Sequence, residues 1–114
     1  MYHGAYYLAG YAVECAIKAC ICRRTRRFDF PDKHLAEQAW KHDVDKLMEV
    51  AELKRQLEKD FEENSSLETN WGVVKDWSER TRYATDTSEV QAKNLLSACT
   101  VRRNGILPWI RKRW

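Results

Sequence analysis

Glycine and proline are scarce in this 114-residue chain, which contains four glycines and two prolines. Sandwiches and barrels need a turn after each short strand, about every 8–12 residues, and turns draw on these two residue types. The scarcity therefore disfavours an all-β fold and favours long helices. The length is enough for one domain, residues 1–114, and not for two.

Long uncharged hydrophobic runs are also missing. The stretch 6–22 comes nearest, but Glu14 and Lys18 interrupt it, so the sequence predicts no membrane span. The N-terminus lacks the basic start and the small-residue cleavage site of a signal peptide. We therefore expect a cytoplasmic protein that has no contact with a membrane.

The cysteines lack the paired spacing that zinc sites use, in which two residues separate two ligands. Cys20 and Cys22 are one residue apart and point in different directions on a helix. The sequence therefore predicts no metal site and no cofactor, and it predicts small buried thiols. The four cysteines are Cys15, Cys20, Cys22 and Cys99.

Helical periodicity dominates what is present. The range 4–24 predicts a helix with two neighbouring apolar seams at steps of three and four residues. A helix that is apolar on two sides should be central and covered by neighbours. The first seam is Ala5, Leu8, Ala12, Cys15, Ala19 and Cys22, and the second is Tyr6, Ala9, Val13, Ala16 and Cys20.

The rest of the chain predicts shorter helices around this one, and the fold class is all-α: an antiparallel up-and-down bundle of about five helices. The predicted N-terminal signals are an Asp43 cap and capping boxes at Ser65–Glu68 and Asp86–Glu89. Ala92, Leu95, Leu96 and Cys99 form the inner face of the helix after Asp86, and Trp71, Trp77, Trp109 and Trp114 serve as packing anchors. The predicted helices span 32–40, 43–51, 52–63, 65–77 and one from about 86, before an apolar C-terminal turn at 106–110, and 78–85 is predicted to be irregular.

Charge is unevenly distributed along the chain. Residues 43–89 carry a net charge of −6, whereas the two flanks carry +9. A basic side would attract phosphates if the chain ends meet, but basic residues also stabilise helix C-termini. The basic clusters are Arg23, Arg24, Arg26 and Arg27, and Arg102, Arg103, Arg111, Lys112 and Arg113.

Four segments resemble the HEPN family in order and spacing. The string AYYLAGYAVECAIKA of the first helix is similar to the opening of small prokaryotic HEPN proteins. The segments KHDVDKL at 41–47, KDWSERTRY at 75–83 and ILPWI at 106–110 resemble later parts of that family. The resemblance covers nearly the whole chain.

The resemblance implies a helical bundle, often a homodimer, linked to nucleotide or RNA binding. Some HEPN proteins are ribonucleases of toxin–antitoxin or defence systems, and others are non-catalytic partners of nucleotidyltransferases. The ribonucleases carry an arginine followed by a histidine on a late helix. Here no histidine follows Arg80, Arg82, Arg102 or Arg103, and the helix that usually precedes the first one is missing.

A polar set remains as the candidate site, with no catalytic residue assigned. One interpretation is a pocket in which cations meet a phosphate and tyrosines stack on a base. The other is a buried polar network, because buried charges also need partners. The set is Tyr7, Tyr11, Glu14, Lys18, His42, Asp43, Arg80, Arg82 and Tyr83.

Three functions remain open at this point. The first is a non-catalytic module that binds a nucleotide, an RNA or a nucleotidyltransferase. The second is a ribonuclease toxin with an atypical site. The third is a helical dimerisation protein without a ligand.

Overall fold

The computed structural model describes residues 2–27, 43–80 and 87–113, without the side chains of 25–27 and 78–80. These ranges form six helices and contain no strand, which confirms the all-α fold class. The helix predicted at 32–40 lies outside them. The helices are α1 (Tyr2–Arg27), α2 (Val44–Val50), α3 (Lys54–Glu63), α4 (Ser65–Arg80), α5 (Glu89–Thr100) and α6 (Ile106–Arg111).

Helix α1 is the longest described helix, and α2, α4, α5 and α6 all pack against it. Its second seam supplies buried core residues, among them Tyr6, Val13 and Ala16. Large apolar side chains of the other helices close the core around that seam. The tryptophans predicted to be anchors are buried at positions 71, 77 and 109, and Trp114 lies outside the described residues.

The first seam of α1 is exposed along its whole length, so the prediction that neighbours cover both seams is wrong. Leu8 exposes 64% of its surface. The burial pattern shows that the helices contacting α1 approach from the side of the second seam. We call this exposed seam the apolar face of α1; its residues are Ala5, Leu8, Ala12, Cys15, Ala19 and Cys22.

The same arrangement corrects the prediction for the cysteines. Cys20 and Cys99 are buried, as expected, whereas Cys15 and Cys22 are exposed on the apolar face of α1. Burial raises the pKa of the Cys99 thiol to about 12 and also raises that of Cys20. The two buried thiols are therefore protonated near neutral pH.

Helix α2 begins where the sequence predicts. Asp43 has extended backbone angles, and its carboxylate accepts hydrogen bonds from the backbone N–H groups of Asp45 and Lys46. A side chain in this position satisfies N–H groups that lack a partner within the helix. The Asp43 cap is confirmed.

The two predicted capping boxes are placed differently. Ser65 is already the first helical residue of α4, and the carbonyl of Asn64 accepts from the N–H of Glu68, so the Ser65–Glu68 box is wrong. Helix α4 also continues to Arg80, so 78–80 are helical and not irregular; 81–85 lie outside the described residues.

Helix α5 begins with a capping box two residues later than predicted. Ser88 Oγ accepts from the Gln91 N–H, and Gln91 Oε1 accepts from the Ser88 N–H. Asp86, the predicted cap, lies outside the described residues. On the inner face of α5, Leu96 is exposed and Ala98 is buried in its place.

Helices α1 and α4 approach each other closely at Gly10. A Cβ atom at Gly10 would lie only 2.0 Å from Trp77 Cε2. The absence of a side chain therefore lets the Trp77 ring lie directly against the α1 backbone. This contact fixes the position of α4 beside the tyrosines of α1.

Candidate functional site

The polar stripe of α1 contains the four candidate residues that the structure describes on this helix, Tyr7, Tyr11, Glu14 and Lys18. They recur at steps of three and four residues, so the helix places them along one side. Tyr7 and Tyr11 are exposed, Lys18 is partly exposed and Glu14 is buried. The stripe therefore runs from an open aromatic end to a covered charged end.

The aromatic end is formed by two parallel rings. The centroids of Tyr7 and Tyr11 lie 6.0 Å apart with an interplanar angle of 9°. Trp77 lies beside them, with its ring 6.4 Å from Tyr7 and tilted by 57°. The sequence gave no signal for Trp77 at this position, because it comes from α4 through the contact with Gly10. Together the rings provide a flat, exposed aromatic surface on which a base could stack.

The chemistry of Tyr11 is tied to its neighbour one turn along. A hydrogen bond with the Cys15 side chain, reinforced by electrostatic repulsion, raises the pKa of the Tyr11 hydroxyl. Tyr11 therefore stays protonated at neutral pH and is suited to binding and not to proton abstraction.

The charged end is an ion pair at the margin of the core. Lys18 Nζ lies 3.0 Å from Glu14 Oε1, and Glu14 exposes only 1% of its side chain. A carboxylate this deeply buried needs a charged or hydrogen-bonding partner. The pair supports the interpretation of the stripe as a buried network at this end, and the predicted contact between positions 14 and 18 is confirmed.

The other candidates divide into two groups. The carboxylate of Asp43 is engaged in capping α2, which supports a structural role. Arg80 lies at the end of α4, but its side chain is not described, and His42, Arg82 and Tyr83 lie outside the described residues. The structure thus brings together four of the nine candidates.

The apolar face of α1 is a surface feature that periodicity alone does not reveal. By length and composition, α1 could also cross a membrane, but its second seam is packed in the core. Within the described part of the chain, no three histidine, cysteine, aspartate or glutamate side chains are grouped to hold a metal ion.

Comparison of the chain with family models, with curated proteins and with solved structures finds no match. The resemblance to the HEPN family therefore stays a prediction that rests on the sequence segments.

Proposed function

We propose that this chain is a non-catalytic helical module that forms a homodimer through the apolar face of α1. The observation that supports this proposal is the exposure of all six residues of that face. They follow the alternating three- and four-residue spacing by which one helix packs along another. An apolar stripe of this kind on a surface is typical of an interface.

A second copy fits this face better than the rest of the chain does. The face extends from residue 5 to residue 22, about 26 Å at the helical rise of 1.5 Å per residue. The helix predicted at 32–40 would be about 13 Å long by the same measure and would cover only half of it. A second α1 has the required length and the same small side chains.

Charge favours an antiparallel pair of α1 helices. The basic residues of α1 are concentrated at its C-terminal end, at positions 23, 24, 26 and 27. A parallel pair would bring both clusters together, whereas an antiparallel pair centred between Ala12 and Cys15 would separate them by about 35 Å, well beyond the Debye length of about 8 Å. In this register Ala12 faces Cys15 of the second copy, and Leu8 faces the small Ala19.

An engineered disulfide tests this arrangement. In a Cys22→Ser background, Ala12→Cys should give a covalent dimer after mild oxidation, because the new thiol faces Cys15 of the second copy. Cys22→Ser alone, the matched control, should stay uncrosslinked. A covalent dimer of the control would indicate a parallel pair, and no dimer with Ala12→Cys would contradict the proposal. A monomer that instead floats with lipid vesicles would assign the face to a membrane.

The Tyr7–Tyr11 pair favours a second candidate function, binding of single-stranded RNA or a nucleotide. These rings are parallel and more than 40% exposed, and α6, whose end carries exposed Arg111 and Lys112, packs on α1. Such a combination of stacking surface and nearby cations is suited to a nucleic acid strand. The HEPN resemblance implies the same ligands, or a nucleotidyltransferase partner.

Fluorescence anisotropy with a short labelled RNA tests the second candidate. Replacing both Tyr7 and Tyr11 by alanine should weaken binding about tenfold or more, since stacking contributes about 1–3 kcal/mol per base. Tyr2→Ala, which removes another exposed tyrosine of α1, should leave the affinity unchanged. Equal losses in both variants, or no binding by the parent chain, would contradict it.

The ribonuclease alternative gains no support from the described residues. His3 is the one histidine that the structure describes, and its Nδ1 lies 3.0 Å from Thr87 Oγ1. His34 and His42 lie outside the described residues.

A further inference from the structure

A cavity of about 340 Å³ lies between α4 and α5 and reaches Tyr6 of α1. Its volume is at the lower end of the range for small-molecule sites, about 300–1,000 Å³. It is separate from the Tyr7–Tyr11 surface in its lining. We call it the Gly72 cavity, and the residues that line it are Tyr6, Thr69, Gly72, Val73, Asp76, Gln91 and Asn94.

Gly72 keeps this cavity open, and packing does not account for it. Gly10 is required by the Trp77 ring, and a Cβ at Gly105 would lie 2.2 Å from the Val101 carbonyl oxygen. At Gly72, in the interior of α4, a Cβ would meet nothing within 4 Å. Glycine is a poor helix former, so its presence in an open helix interior calls for a reason other than packing.

The polar side chains around the cavity offer a defined set of acceptors and donors. Asp76 is exposed and supplies a carboxylate that can accept two parallel N–H groups. Gln91 Oε1 already accepts from the Ser88 N–H, which leaves its amide N–H groups to donate. Asn94 adds a second amide. The described lining contains no lysine or arginine, so it is not built for phosphate.

We propose that the Gly72 cavity binds a guanine base. The guanine edge has two adjacent N–H donors, which match a carboxylate such as Asp76, beside a carbonyl oxygen that can accept from the Gln91 or Asn94 amide. Adenine has a ring acceptor where guanine has a ring N–H, so it would place a lone pair against the carboxylate. Tyr6 and Val73 provide apolar walls for a planar ring. This inference depends neither on dimer formation nor on the Tyr7–Tyr11 surface.

Calorimetric titration with guanosine tests the proposal. The parent chain should bind one guanosine per chain and should bind adenosine at least tenfold more weakly. GMP should bind no more tightly than guanosine, because the cavity lining offers no cation to a phosphate. Absence of guanosine binding, equal binding of adenosine, or tighter binding of free arginine, which shares the N–H pair but lacks the carbonyl, would overturn it.

Two variants locate the site. Gly72→Leu should abolish guanosine binding by filling the cavity, while circular dichroism shows the helices intact because leucine favours a helix. Gly4→Leu is the matched control, since Gly4 is also a helical glycine with open space around it, and it should bind like the parent chain. Asp76→Asn should weaken binding at least tenfold. Retained binding in Gly72→Leu, or equal loss in Gly4→Leu, would exclude this cavity.

Discussion

At the scale of single residues, Asp60 connects α3 to the C-terminal end of the chain. Its Oδ2 accepts hydrogen bonds from Trp109 Nε1 at 2.8 Å and from Arg113 Nη2 at 3.0 Å. Gln56 Nε2 donates to Oδ1 at 2.9 Å. These bonds, above all the one from Trp109, hold the pKa of Asp60 below its usual range, so its ionised form stabilises the folded state.

Asp60→Ala should lower the free energy of unfolding by about 1–3 kcal/mol at pH 7, because Trp109 Nε1 loses its acceptor. Since the folded pKa lies below the unfolded value of about 3.9, the ionic part of this stability is present above that pH and is lost as the pH falls through the folded pKa. Urea unfolding at pH 7 and below pH 4 measures both effects.

The exposed Glu62→Gln serves as the control for Asp60 and should change the free energy of unfolding by less than about 0.5 kcal/mol. A difference between Asp60→Ala and the parent chain that grows on acidification would contradict the account of Asp60.

Two glycines in helix interiors should respond oppositely to the same substitution. Gly10→Ala should destabilise by about 1–3 kcal/mol, because the new methyl group overlaps the Trp77 ring. Gly72→Ala should stabilise by up to about 1 kcal/mol, because alanine favours a helix and meets open space. Thermal unfolding of the two variants compares them directly, and a tolerated Gly10→Ala would show that α1 and α4 are farther apart.

At the scale of helices, Ser88 and Gln91 define the beginning of α5 through their reciprocal hydrogen bonds. Ser88→Ala should lower the free energy of unfolding by about 0.5–2 kcal/mol, because it leaves the Gln91 N–H without its acceptor. Ser97→Ala, at an exposed position on the same helix, should have little effect. Chemical denaturation distinguishes them, and equal effects would mean that the cap adds nothing.

The sequence predicts the helices better than their ends. Apolar periodicity locates the described helices, and an aspartate immediately before a periodic segment correctly predicts the Asp43 cap. The Ser65–Glu68 box fails because α4 begins one residue after α3 ends, so Ser65 is helical from the start. At α5, Asp86 and Ser88 are both good caps, and only the folded geometry selects the Ser88–Gln91 pair.

The candidate site shows a similar division. The spacing of Glu14 and Lys18 on a helix is sufficient to predict their ion pair, because it is a local contact. Trp77 joins Tyr7 only through the packing of α4 on Gly10, and the Gly72 cavity depends on how α4 and α5 meet. Such contacts between distant segments have no signature in the spacing of residues.

At the scale of the whole molecule, α1 is both a core helix and a surface helix. Periodicity shows which side chains share a face, but not whether a neighbouring element covers that face. For this reason both seams of α1 were expected to be buried, and the structure covers only the second. The exposed apolar face is consistent with a module whose fold is completed by a second copy.

The molar mass in solution, measured by light scattering during gel filtration, tests this central claim most directly. The parent chain should have twice the chain mass of 13.5 kDa. Leu8→Glu should shift it to a monomer, because it places a charge on the apolar face. Val90→Glu, at a residue 65% exposed against 64% for Leu8, should remain a dimer. A monomeric parent chain, or a dimer that Leu8→Glu leaves intact, would contradict the account.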